Sequence, residues 1–166
     1  MRRGAVIAVA ALVAACSRGP SDGPPTVHFG QDVCAACTMI VSEQRFASAI
    51  VPDDGRRDPL VFDDLGCLFS WEESNPDVPI RARWVHDHDG PDWVRAESAW
   101  YVRSPEIRSP MGSGVAAFAS EEGARELHAE RGGELREWAG LQESAADETL
   151  VIPPGSAGLQ GAPDPD

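Results

Sequence analysis

Arg45-Phe46-Ala47-Ser48-Ala49-Ile50-Val51 is followed by the turn-rich Pro52-Asp53-Asp54-Gly55. The chain returns as Asp58-Pro59-Leu60-Val61-Phe62 and continues as Asp63-Asp64-Leu65-Gly66-Cys67-Leu68-Phe69-Ser70-Trp71. Two short apolar runs around a Pro/Asp/Gly turn predict a β-hairpin. An aspartate before a mostly apolar segment predicts a helix capped by Asp63 or Asp64. The pattern recurs downstream. Ile80-Arg81-Ala82-Arg83-Trp84-Val85-His86 turns at Asp87–Asp92 and returns as Trp93-Val94-Arg95-Ala96 and Ala99-Trp100-Tyr101-Val102. An apolar segment at Val115-Ala116-Ala117-Phe118 then precedes Ser120, which is placed to cap a helix over Glu121–Arg131 with acids in its first turn. The expected fold is α+β, with two tandem ββα units at about 32–76 and 77–131 forming one compact body. Leu135, Trp138 and Leu141 recur at i, i+3 and i+6, which predicts a further helix over Glu134–Glu143.

Outward from this body the two ends read differently. Met1-Arg2-Arg3 is a short basic start, and Ala5–Ala15 is an apolar run. That run is well short of the ~20 residues a spanning helix needs, and it fits the core of an export signal over residues 1–15. Leu12-Val13-Ala14-Ala15-Cys16 resembles a bacterial lipobox, with Cys16 as the lipidated residue. Residues 16–25, rich in Ser, Gly and Pro, read as a flexible tether. At the other end, residues 153–166 are mostly Pro, Gly, Ala and Asp and read as a disordered tail. The folded part is expected over 26–152.

The 166 residues carry 27 Asp+Glu against 14 basic residues, all arginine, for a formal charge of −13. Removal of Arg2 and Arg3 with the leader makes the chain more acidic still. Such a chain repels phosphate backbones, so nucleic acid is not an expected partner. No Ser-His-Asp order, phosphate loop or paired-carboxylate pattern stands out, and an enzyme is not expected.

The chemistry lies in sulfur. Cys34-Ala35-Ala36-Cys37 places two thiols so that they can face one point, and Met39 follows two residues later. Cys67 lies beyond Phe62-Asp63-Asp64, and Met111 lies in Ser109-Pro110-Met111-Gly112-Ser113-Gly114. Apart from the initiator, Met39 and Met111 are the only methionines, and both fall in loops or element boundaries. Soft thiolate and thioether donors favour Cu(I), whereas Zn(II) has little use for thioether. Three other readings stay open: a Cys34–Cys37 disulfide with Cys67 buried, a structural zinc site completed by a His or Asp, and thiol–disulfide exchange. The last normally has its Cys-x-x-Cys beside a βαβ pattern, which is absent here. His86 and His88 are expected as solvated turn residues, His28 as an outlying donor and His128 as a surface residue. Asp63 and Asp64 are best explained by helix capping.

The ordered set resembles the NosL family. It comprises the lipobox Cys16, Cys34-x-x-Cys37-x-Met39-Ile40 and Phe62-Asp63-Asp64-x-x-Cys67. Trp93-x-x-Ala96-x-x-Ala99-x-Tyr101-Val102 and Pro110-Met111-Gly112-Ser113-Gly114-x-x-Ala117-Phe118 complete it, so the match runs over roughly 32–128. The resemblance implies a lipoprotein on the periplasmic or cell-surface side of a membrane, built from two ββα units. It further implies one Cu(I) held by a cysteine, a methionine and a histidine, and a link to copper-centre assembly in nitrous oxide reductase. Carried over by motif, the thiolate falls at Cys34 or Cys37 and the thioether at Met111, with Met39 and Cys67 as alternates. Implied partners are the client copper enzyme and a copper donor or transporter. One position departs from the family: Thr38 stands where a glycine is usual, and threonine resists backbone angles that glycine permits.

Overall fold

The computed structural model describes residues 22–55 and 57–146. The leader, Cys16, most of the tether, residues 147–152 and the expected tail at 153–166 lie outside the described residues.

The quoted hairpin forms. Strand β1 (Ser48–Pro52) pairs antiparallel with β2 (Leu60–Phe62), with Ser48 opposite Phe62 and Ile50 opposite Leu60. Gln44–Phe46 is a 3-10 turn, so the strand starts three residues later than its apolar run. Every residue of β1, an inner strand of a sheet of order β2-β1-β3-β4, is buried, on both faces alike. This explains why its sequence shows a continuous small and apolar run without alternation. Helix α1 (Leu65–Ser74) follows, and Asp64 is its cap: extended at φ −155°, ψ 149°, its side chain accepts the Gly66 N–H. Leu65 through Phe69 are all buried, so the start of this helix is sunk into the protein and its far end is polar.

Strand β3 (Ile80–His86) returns to pair antiparallel with β1, with a bulge between Val51 and Pro52, and β4 (Trp93–Arg95) adds at its outer edge. The second sheet has the order β6-β5-β7, built from β5 (Trp100–Arg103), β6 (Val115–Phe118) and β7 (Glu134–Glu137). Ser120 caps α2 (Glu121–Arg131) by accepting the Gly123 N–H, as expected. The α+β class and the doubling hold, with each unit one strand longer than ββα. Both read ββαβ, and in both the third strand pairs with the first, giving orders β2-β1-β3 and β6-β5-β7. The strand Ile80–His86, expected to open the second unit, instead completes the first sheet.

The expected helix Glu134–Glu143 is corrected at its start. Glu134–Glu137 is β7, with Val102 opposite Leu135 and Trp100 opposite Glu137, and helix α3 (Trp138–Ala146) begins only at Trp138. The free edge of β5 offers unpaired backbone groups, and pairing there satisfies them. Gly132 and Gly133 turn the chain onto that edge with φ of 64° and 87°. A Cβ on Gly133 would lie 2.1 Å from the Arg103 carbonyl oxygen, so only glycine permits this approach. The regular spacing was real but mixed: Leu135 packs beside Val102 and Phe118, whereas Trp138 and Leu141 pack with Phe69 and Tyr101.

Candidate metal centre

The segment before β1 folds back on itself as a tight loop. Gly30 N–H donates to the Val41 carbonyl at 2.9 Å, Val41 N–H to the Asp32 carbonyl at 2.8 Å, and Val33 bridges Ile40. Inside it, Cys34 N–H donates to the Met39 carbonyl at 2.8 Å and Thr38 N–H to the Cys34 carbonyl at 3.1 Å. Closing this turn puts Thr38 at φ 63°, the left-handed region that β-branched residues resist. The threonine thus takes a conformation that suits glycine. Ala35 N–H donates to the Val61 carbonyl at 2.9 Å, which ties the loop to β2 and so to the start of α1.

That tie brings the thiols together. Cys34 and Cys37 from the loop and Cys67 from the first turn of α1 place their sulfurs within 4.8 Å of one another. All three are free thiols. Cys34 and Cys67 are each 1% exposed, and Cys37 is half-buried. Their protonation is unequal. The Cys67 S–H donates to the Cys34 sulfur, helped by the main-chain N–H groups of Cys37, Asp63 and Ala36. Together these overcome burial and pull Cys34 down to about 5. Cys67 is pushed up, first because it is that donor and then because it is buried. Burial also raises Cys37. At neutral pH the cluster therefore holds one thiolate and two thiols.

The two aspartates after β2 divide their work. Asp63, expected as a possible cap, does not cap; its Oδ1 accepts the Ser42 N–H at 2.8 Å, and burial raises its carboxyl pKa. Asp64 is wholly buried; Oδ1 accepts the Gly66 N–H at 2.7 Å and Oδ2 the Met111 N–H at 3.1 Å. No sequence pattern pointed to the two loop contacts, since each spans more than twenty residues.

The remaining expected residues fall as follows. Met111 is half-buried and packs against the core cluster that contains Cys34 and Cys67. Met39 is 51% exposed and, with Val33 and Ile40, forms the exposed apolar tip of the loop. Cys16 lies outside the described residues. His86 and His88 are not solvated as expected. His86 is 2% exposed, the last residue of β3, with Nε2 2.9 Å from the Gln44 amide nitrogen and its ring against Phe29 and Trp93. His88 sits between Phe46 and Phe118. Both are packing residues, because the turn that carries them folds onto the second sheet through the His88 N–H bond to the Ala117 carbonyl. His28 is exposed beside Asp32.

Fold and site together define a class: a small α+β protein presenting a three-thiol group able to hold a soft metal ion. The chain belongs to the NosL family, whose sequence profile matches residues 26–146. Its fold is similar to that of the copper chaperone NosL from Shewanella denitrificans. The TM-score is 0.63 and the identity 19%, with 72% of this chain and 96% of that chain covered. The solution structure of apo-NosL from Achromobacter cycloclastes also matches, with a TM-score of 0.41, 24% identity, and 67% of this chain and 93% of that chain covered. No curated protein is similar enough in sequence to match. Among the described residues no helix is long and apolar enough to cross a membrane.

Proposed function

We propose that this protein is an exported, lipid-anchored Cu(I) carrier that binds and hands on copper without catalysing a reaction. The observation that carries the reading is the thiol cluster, in which one loop and one helix bring three sulfurs within 4.8 Å and leave one of them half-exposed. The Cys34 thiolate supplies a charged soft donor, Cys37 the accessible one, and Cys67 or Met111 completes a two- or three-coordinate site. Such a site holds Cu(I) yet lets an incoming sulfur displace it, whereas a closed four-ligand cage would retain the metal. The same count argues against structural zinc: among the described residues the group stops at three, one short of a tetrahedral site. Met39, at the exposed tip, serves as a ligand during transfer. Lipidation of Cys16 keeps the protein at the outer face of a membrane. By family kinship the client is nitrous oxide reductase, with copper arriving from a donor or transporter.

Titration of the reduced protein with Cu(I) against a chromogenic chelator tests the site. Cys34→Ser is expected to weaken binding most, with Cys37→Ser, Cys67→Ser and Met111→Leu weakening it less. Wild-type binding by all four variants would remove the assignment. For the anchor, Cys16→Ala is expected to move the protein from the membrane to the soluble fraction. For the client, deletion is expected to leave nitrous oxide reductase copper-poor, and a fully loaded enzyme would exclude that role.

A further inference from the structure

The segments that carry the candidate ligands meet at the dipeptide Asp63-Asp64. The Asp63 main-chain N–H points at the Cys34 sulfur, and its carboxylate holds Ser42, just past the end of the Cys34–Met39 loop. Asp64 opens the helix that carries Cys67, and the Asp64 carbonyl accepts the Cys67 N–H at 3.0 Å. Capping a helix takes one oxygen, as the single hydroxyl of Ser120 on α2 demonstrates within the same chain. Asp64 brings two. Its Oδ1 does the capping at 2.7 Å, and Oδ2 is occupied by the Met111 N–H at 3.1 Å, across 47 residues of sequence. The carboxylate is 0% exposed, so this is a charge-assisted bond without competing water.

We infer that Asp64 is a positioning residue of the copper site: its second oxygen sets the Met111 loop at the cysteine-bearing end of α1. This rests on the proposed reading of Met111 as a copper ligand. Met111 lies in a loop where Gly112 and Gly114 take φ of 80° and 67°, and Asp64 bonds its main-chain N–H directly. Losing that bond frees the thioether to wander while leaving the thiols in place. Partners that orient a ligand in this way typically contribute ten- to a hundredfold to metal affinity.

A double-mutant cycle on the full-length reduced protein tests this, read by Cu(I) competition with a chromogenic chelator. Asp64→Ser keeps a capping oxygen but has none to spare, and Asp64→Asn keeps the size while turning one acceptor into a donor. Circular dichroism selects a temperature at which the variants compared are folded, and either substitution alone suffices for the cycle. Each aspartate substitution is expected to weaken Cu(I) binding about tenfold in the wild-type background and not further in the Met111→Leu background. A general structural role predicts loss in both backgrounds, and that outcome overturns the inference. So does wild-type affinity in the aspartate variants when Met111→Leu is weakened. If Met111→Leu alone binds like wild type while the cysteine variants do not, Met111 is not a ligand. The inference then falls while the thiol site stands.

Discussion

Thr38 is the residue where local chemistry and required geometry conflict. Its φ of 63° closes the turn that brings Cys34 and Cys37 together, and a β-branched side chain in that region costs of order 1–3 kcal/mol. Glycine there would lose the strain and regain part of it as chain entropy. Thr38→Gly is therefore expected to raise stability by about 1 kcal/mol, seen as a higher urea midpoint at an unchanged slope. The opposite sign would mean the side chain supports the loop. The departure at this position was legible in the sequence; its outcome, a strained turn of unaltered purpose, needed the backbone. The three thiols were legible too, because a Cys-x-x-Cys pair and a third cysteine at an element boundary are soft donors with few other uses. The role of Asp63 and Asp64 beyond a cap was not, since a carboxylate announces that it accepts hydrogen bonds but not from which distant amide.

Elements were readable where their signals were local. Caps at Asp64 and Ser120 and the strands at Ser48–Pro52 and Ile80–His86 follow from short-range pattern and turn chemistry. The segment Glu134–Glu137 was not, because pairing with β5 overrides a spacing that also suits a helix. Gly133 decides that pairing. Gly133→Ala would place Cβ 2.1 Å from the Arg103 carbonyl oxygen and 2.7 Å from the Ser104 Cβ, at a positive φ. The substitution is expected to cost at least ~2 kcal/mol. Faster hydrogen exchange at Glu134 and Arg136, whose amides face β5, with β1 protected, would locate the damage in β7. α3 has a separate link to the site: Trp138 stacks on Phe69, two residues after Cys67, at 5.3 Å between ring centroids. Trp138→Ala is expected to cost about 3–5 kcal/mol in thermal or urea unfolding.

At the scale of the whole molecule, His86 joins four parts of the chain: β3, β4 through Trp93, the N-terminal segment through Phe29 and the 3-10 turn through Gln44. Burial lowers its pKa, against the opposing pull of the Asp87 carbonyl and the nearby Asp87 and Asp92 carboxylates. The unfolded chain takes up a proton near pH 6.5 and the folded chain resists it. The stabilising contribution is thus complete above pH 6.5 and lost as pH falls below it. Urea unfolding between pH 7.5 and 5 is expected to show this decline, and His86→Gln to flatten it. An equally steep profile in the variant would assign the decline to other groups. The doubling of the molecule was visible in the order of its segments. Which half owns β3 was not, because strand pairing is decided by contacts far apart in sequence.

The two ββαβ units also differ at one matched position. Three residues past each helix cap stands Cys67 in the first unit and Gly123 in the second, where an added Cβ would meet the Phe118 ring at 3.2 Å and an Asp89 carboxylate oxygen at 3.1 Å. The second unit thus has no sulfur at the matching place, and a side chain there would press on its neighbours. Duplicated architecture need not mean duplicated occupancy. The stoichiometry follows from the asymmetry: a chain with twofold repetition should saturate at a single equivalent of metal, because all three thiols belong to the first half and the second offers only Met111 beside them.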